Sequence, residues 1–211
     1  MSETKTGTIV KVAGPVVMAE GMLGSRMYDV VRVSKHNLIG EIVELKGDIA
    51  SIQVYEDTIS VGPGEPVVDT GAPLSVELGP GLVESIYDGI QRPLDALYKE
   101  QGDHILRGSQ LPGLNRTKKW HFKPTIQNGS QVSGGDIIGS VQETPILLHK
   151  IMIPPGISGK IDGLNEGNFT VTETIATVAA PDGSKKEITM MQKWPVRLGR
   201  TAKQRLAPDS I

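Results

Sequence analysis

Three constellations in this 211-residue chain carry residue types that could do chemistry. Gly156-Ile157-Ser158-Gly159-Lys160-Ile161 is the nearest approach to a phosphate-binding loop, in which backbone N–H groups, a lysine and a hydroxyl surround the phosphates at the spacing GxxxxGK[ST]. Only two residues separate its glycines, and Ile161 stands where a Mg²⁺-coordinating hydroxyl belongs, so the segment reads as a turn entering a strand. His36, His104, His121 and His149 are scattered, without the HExxH or i,i+4 pairing that makes a metal face, and read as surface or turn histidines. The run Arg116-Thr117-Lys118-Lys119-Trp120-His121-Phe122-Lys123 interleaves basic and aromatic residues as single-stranded nucleic-acid platforms do. A strand entering a β domain accounts for it better, with Trp120 and Phe122 on the core face and Lys119, His121 and Lys123 outside.

No GxSxG elbow appears, and no carboxylate pair has a spacing that suggests shared acid and base roles. Glu56-Asp57 reads as the cap of a turn. No catalytic, cofactor-binding or metal-ligating residue is therefore assigned, and no enzymatic chemistry is expected of these residues alone. A formal net charge of −2 gives no global field to gather polyanions, and the lack of cysteine rules out disulfides and thiolate metal sites and fits an intracellular protein. There is no run of about 18 apolar residues and no basic segment followed by an apolar one at the N-terminus, so neither a spanning helix nor a secretory signal is expected. Membrane association would have to come through partners.

The elements that must position these residues are mostly strands. The chain has 25 Gly and 14 Pro against two Trp, four Tyr and two Phe, and its apolar residues are mainly Val and Ile. Alternating segments predict strands at Thr8 to Val12, Val16 to Glu20, Met27 to Ser34, Leu38 to Lys46, Ile49 to Tyr55, and Pro66 to Val68 leading on to Leu74 to Leu78, a set that suits a closed six-stranded barrel over residues 1–78. Gly79-Pro80-Gly81 marks a junction, since it can continue neither element. Leu82, Ile86 and Ile90 recur every four residues and predict a first helical segment through Gln91, with a second from Leu94 to Glu100, in a connector over 79–110. Turn signals from Asn128-Gly129 to Pro181-Asp182-Gly183 then punctuate a second β domain over 111–191, ahead of a return segment at 192–211. Gly129 with Gly167, and Ile137 with Ile175, share a 38-residue offset that points to two similar halves.

Longer strings carry a family resemblance over almost the whole chain. TGTIVKVAGPVV, MYDVVRVS, LIGEIVEL and IQVYEDT resemble the N-terminal barrel of the catalytic A subunit of archaeal-type (A-type) and vacuolar-type (V-type) rotary ATPases, and ELGPGLVESIYDGIQRPL resembles its junction. HFKPTIQNGSQVSGGDIIGSVQET, HKIMIPPGISGKI and MMQKWPVR resemble its bulge, the non-homologous insert. Ile59-Ser60-Val61 departs from the Ser-Gly-Leu that the family favours, and Leu198 to Ala202 follows its Arg-Pro-rich return poorly. The second domain also resembles the barrel-sandwich hybrid of lipoyl and biotinyl carriers. Its one candidate for modification, Lys150, lacks the Asp-Lys-Ala or Met-Lys-Met context of those carriers.

The resemblance implies a mainly β fold, with an N-terminal six-stranded barrel, a short helical connector and a lipoyl-like barrel-sandwich bulge, and with no P-loop α/β domain here. That domain would follow the segment resembled by Lys203 to Asp209, so the fragment itself is expected to be inactive and to hold no cofactor, ATP and Mg²⁺ belonging to the parent chain. The implied partners are the B subunits of an A/B hexamer, bound through the barrel, and peripheral stalk subunits, bound through the bulge, with no nucleic acid. The implied location is peripheral, on the cytoplasmic side of the cell membrane. The parent would couple ATP synthesis or hydrolysis to H⁺ or Na⁺ transport. The rival reading is a standalone binding module, for single-stranded nucleic acid or as a carrier domain.

Overall fold

The computed structural model describes residues 5–200; the resemblance at Lys203 to Asp209 lies outside them. The described chain folds as two compact units, with residues 5–76, 88–111 and 195–197 in the first and residues 77–87, 112–194 and 198–200 in the second. Residues 79–110 therefore contribute to both.

In the first unit, β1 (Thr6–Ala13), β2 (Val16–Glu20), β3 (Asp29–Val33), β4 (Leu38–Lys46), β5 (Ile49–Val54) and β6 (Pro66–Pro73) close a barrel in the order β1-β2-β5-β4-β3-β6, every pairing antiparallel. Period-two alternation sends Ile9, Val17, Ala19, Ile52 and Val67 inward, all of them buried. Closure leaves no free edge strand. The expected sixth strand divides in two: β6 extends through Pro73, and β7 (Ser75–Leu78) leaves the barrel to pair with β16 (Gln192–Pro195). Gly71, at φ 66°, and Pro73, which has no N–H to donate, end the barrel ladder.

Among the described residues one helix forms, α1 (Leu94–Gln101), preceded by Pro93 and stopped by Gly102, whose N–H donates to the Tyr98 carbonyl. Only Leu97 among its residues is buried. The helix expected over Leu82 to Gln91 does not form. Asp88 Oδ1 accepts the N–H groups of Ile90 at 3.1 Å and Arg92 at 2.8 Å, Ser85 Oγ donates to the Gly81 carbonyl at 2.8 Å, and Gln91 sits at φ 63°. These side chains take backbone partners that a helix would need for itself, and the apolar stripe has no common surface: Ile86 is exposed, whereas Leu82 packs on the core of the second unit.

The second unit is two four-stranded antiparallel sheets sharing one core. Its strands are β8 (Trp120–Pro124), β9 (Gln131–Ser133), β10 (Ile137–Gln142), β11 (Leu148–Met152), β12 (Ser158–Asp162), β13 (Gly167–Phe169), β14 (Thr174–Ala179) and β15 (Lys185–Thr189). They are ordered β11-β10-β8-β13 in one sheet and β15-β14-β12-β9 in the other, so each half lends its short strand to the opposite sheet. Phe122, Ile138 and Ile151 from one sheet meet Ile161, Ile175 and Ile188 from the other. The two halves are alike, but not in the register of the sequence pairs. β10 and β14 share a burial pattern at an offset of 37, Ile138 matching Ile175, and the bulge between Ile137 and Gly139 recurs between Thr174 and Ala176. Ile137 is partly exposed while Ile175 is buried, and Gly129 takes φ 89° in a turn while Gly167 lies in a strand, so neither 38-residue pair is equivalent.

Phe122 is 0% exposed and lies against the bare backbone of Gly139, where a Cβ would overlap its ring. Phe122→Ala is expected to destabilise the second unit by about 3–5 kcal/mol, read as a lower urea midpoint. Ser60, at φ 71°, occupies the left-handed conformation that favours glycine. Ser60→Gly is expected to raise stability by about 1 kcal/mol through relief of that strain, read as a higher thermal midpoint.

Candidate functional site

The most strongly built polar centre lies in the barrel unit, and its members are far apart in sequence. The turn after β5 carries Glu56, and the loop before α1 carries Asp88 and Arg92. Arg92 Nη1 donates to Glu56 Oε1 at 2.7 Å and its Nε donates to Asp88 Oδ2 at 2.6 Å, with side-chain exposures of 12% for Arg92, 8% for Glu56 and 20% for Asp88. The second oxygen of Glu56 accepts the N–H of Gly108 at 3.0 Å. Gly108 is at φ 73°, and a Cβ there would overlap the His36 carbonyl, so the close approach requires glycine. Burial pushes the Asp88 carboxyl up, but the N–H and guanidinium of Arg92 outweigh it and hold the group below the ordinary aspartate value. Burial likewise opposes the Arg92 charge, and its two carboxylates overcome that and raise its pKa. Arg32, on β3, is held below the ordinary arginine value by burial, with Glu56 acting in the opposite direction.

A cleft of about 330 Å³ adjoins this centre, lined by Tyr55, Leu74, Asp88, Gly89, Ile90 and Arg92. Its charged groups already neutralise one another. The arrangement has a clear mechanical consequence, fastening residues 88–108 to the barrel, and it contains no nucleophile–base pair.

A second centre joins Glu41 of β4 to Arg197, whose Nε donates to Glu41 Oε1 at 2.9 Å and whose Nη2 donates to Oε2. Tyr55 donates to Glu41 Oε2 at 3.0 Å, and the Arg197 guanidinium lies 4.4 Å from the Tyr28 ring centroid. The bonds from Arg197 hold the Glu41 carboxyl below its ordinary value, burial opposing. Across β3 and β6 the barrel also buries two carboxylates, Asp29 and Asp69. Burial pushes the Asp29 carboxyl up, the Asp69 charge adds to it, and the Arg26 N–H, at 3.2 Å, pulls the other way.

The second unit has its own anchors. Arg116 pairs with Glu77, which also accepts the Leu114 N–H at 3.1 Å. Buried Glu143 accepts the N–H groups of Gly81 at 2.7 Å and Val83 at 3.3 Å, with His149 Nδ1 at 2.8 Å, and so fastens residues 81–83 to this unit.

The residues that the sequence marked for possible chemistry do not gather into one site. Gly156, at φ 80°, is a turn residue and Ser158–Asp162 is strand β12, so the glycine–lysine segment is a turn entering a strand. Trp120 and Phe122 are core residues, whereas Lys119, His121 and Lys123 are exposed, and Lys118 Nζ lies 3.9 Å from the centroid of the Trp120 ring. Lys150 is mid-strand in β11 opposite Ser140, away from the hairpin tip where a carrier lysine would stand. His104 is exposed, His36 lies in the β3–β4 turn, and His121 contacts Glu166 at 3.0 Å and Asn168 at 3.2 Å. His149 is more than a surface histidine, being the partner of Glu143. Glu56 does not cap its own turn as expected; Asp57 does, accepting the Ile59 N–H at 2.9 Å, while Glu56 holds Arg92. Sequence reasoning misses Arg92, Glu41 and Asp29, and only the Asp88/Arg92 spacing of four hints at any of them. Among the described residues, no group of three His, Asp or Glu gathers as metal ligands would, and no helix is long and apolar enough to cross a membrane.

Comparison with known proteins matches both units. Residues 9–71 match the model described as ATP synthase alpha/beta family, beta-barrel domain, and residues 111–197 match the ATP synthase alpha/beta subunit barrel-sandwich domain. The chain is 57% identical over 204 residues to the V-type ATP synthase alpha chain of Acetivibrio thermocellus, covering 97% of this chain and 35% of that relative. It is 59% identical over 204 residues to the A subunit of the A-type ATP synthase of Thermococcus sibiricus, covering 96% of this chain and 35% of that relative. The chain thus spans about a third of the length of these relatives.

Removing the Arg92 charge strands Glu56 and Asp88 in a buried site. Arg92→Met is therefore expected to cost about 3–5 kcal/mol, measured by urea unfolding. Because Asp29 titrates above its unfolded value, it costs stability at neutral pH, and the cost fades as pH falls through the folded value towards the unfolded one. Asp29→Asn should raise the urea midpoint at about pH 7, with a smaller gain as pH approaches about 4.

Proposed function

This chain belongs to the ATP synthase alpha/beta family, among the A-type and V-type A (alpha) chains, and on that footing we propose that it is the part of the A chain that supports the motor without performing its chemistry. The observation that carries this reading is the order of the two matches on two separate apolar cores, neither of which contains a GxxxxGK[ST] loop. In this reading the barrel joins those of neighbouring A and B chains in a ring that holds the hexamer together, and the barrel-sandwich unit projects as a bulge near the peripheral stalks. ATP and Mg²⁺ bind elsewhere in the parent chain, which couples ATP synthesis or hydrolysis to H⁺ or Na⁺ transport. The parent is held at the cytoplasmic face of the cell membrane through other subunits.

The physics of the described residues suits such a part. Closed or face-to-face antiparallel sheets with buried aliphatic cores deform little, and a ring that resists torque while catalytic domains open and close needs stiff elements. The buried Arg92 and Glu41 centres add long-range fastening within the barrel unit. The rival reading as a nucleic-acid module loses its platform, because Trp120 and Phe122 are buried; the carrier reading loses its tip lysine, because Lys150 is mid-strand.

Purified residues 1–211 are expected to fold, to give no heat of binding with Mg-ATP in calorimetry, and to release no phosphate above the buffer rate. Turnover of ATP by this chain would contradict the proposal. Mixing with full-length B chain tests the ring, and retention of the fragment on tagged B is the expected result.

A further inference from the structure

The two halves of the barrel-sandwich unit are alike in backbone and opposite in charge at matched outward positions. In the first sheet, Ser140 of β10 lies between Lys123 of β8 and Lys150 of β11 in register. In the second, Thr177 of β14 lies between Asp162 of β12 and Glu187 of β15 in register. Ser140 and Thr177 are related by the same 37-residue offset that relates the bulges, and both lysines and both carboxylates are exposed. Core packing constrains none of these outward positions, so the inversion is not a requirement of the fold.

The first sheet is further biased. Its four strands carry Lys123 and Lys150 and no Asp or Glu, while His121 and His149 each meet a loop carboxylate, Glu166 and Glu143, whereas the second sheet mixes both signs along its strands. Among the described residues, neither Lys123 nor Lys150 forms an ion pair. Beside the lysine row stands the β10–β11 hairpin, with Ile146 98% exposed at its tip and Leu148 51% exposed on its flank. The equivalent β14–β15 turn, Pro181-Asp182-Gly183-Ser184, is polar. A wholly exposed isoleucine next to an unpaired basic row is a joint apolar and electrostatic signal.

We propose that this face, with Ile146 as its apolar anchor, docks an acidic amphipathic helix of another subunit, an inference that rests on the scaffold reading and deepens it. Two lysines separated by one intervening strand stand about 10 Å apart, which matches the width of a helix lying across the sheet. Carboxylates on the sides of that helix meet Lys123 and Lys150, and its apolar stripe covers Ile146 and Leu148. Single-stranded nucleic acid fits less well, because the aromatic faces on which bases would stack are in the core. A second copy of this chain could offer the Asp162–Glu187 row, but that row is flanked by Lys160 and Lys185 and presents no apolar stripe to cover Ile146.

The test places a photo-crosslinking amino acid at position 146 of the full-length parent chain and irradiates the assembled complex, identifying adducts by mass spectrometry. The expected adduct is with an acidic, helical segment of a different subunit. Its yield should fall about tenfold in a Lys123→Glu/Lys150→Glu variant, and also fall on raising salt, while Asp162→Lys/Glu187→Lys leaves it within about twofold. Ile146→Asp in a complex carrying the crosslinker at 148 should lower the yield independently. No adduct, an adduct with lipid, nucleic acid or a second copy, or insensitivity to the lysine reversals overturns the inference. Co-purification of the B chain is scored in the same samples. A complex that assembles without the adduct removes the docking face and leaves the scaffold reading intact, whereas a wild-type chain that fails to assemble removes both.

Discussion

A β-strand turns successive side chains to opposite faces, so a strand covered on one face buries alternate residues, and most of this molecule follows from that constraint. With only two Phe, two Trp and four Tyr, large aromatic anchors are scarce, and the apolar requirement is met by many small aliphatic residues that must be enclosed from all sides. One unit encloses them by closing six strands into a barrel; the other does so by facing two four-stranded sheets across Phe122, Ile138, Ile161 and Ile175. The alternate positions face outward and are free to vary. This is why two halves with matching bulges and burial can carry lysines in one sheet where the other carries carboxylates.

Charges inside the barrel unit obey a stricter rule, because a buried charge without a partner is costly. Glu56, Arg92 and Asp88 satisfy one another and the Gly108 N–H, and Glu41 is met by Arg197 and Tyr55. Both centres tie a barrel strand or turn to residues remote in sequence, so the electrostatics act as fastening. Asp29 departs from that rule: it is buried beside the like charge of Asp69, and the cost of keeping its carboxylate charged there is relieved by acid. Nothing in these centres aligns a nucleophile with a base, and the partners of each charge are other groups of the same unit.

The strands were legible in the sequence because local alternation and turn chemistry decide them. Val16–Glu20 and Leu38–Lys46 form with the expected bounds, and Trp120 and Phe122 take the core face of β8. Legibility failed where one pattern had two solutions. Leu82, Ile86 and Ile90 keep helical spacing, yet Asp88 and Ser85 redirect the backbone and the three side chains have no common surface. The internal repeat was visible as recurring glycine and isoleucine but shifted by one residue, since only the pattern of burial distinguishes Ile138 from Ile137. Ion centres such as Glu56–Arg92, 36 residues apart, left almost no local trace, because only the tertiary fold brings the partners together.

The central claim is that these residues form two separately cored β units with no nucleotide site. Amide hydrogen exchange of the purified chain, read by mass spectrometry with and without Mg-ATP, addresses both parts at once. The account predicts slow exchange in β4 and β5 of the barrel and in β10 and β14 of the sandwich, unchanged by nucleotide. Fast exchange through either core, or new protection at Gly156 to Ile161 when Mg-ATP is added, would contradict it.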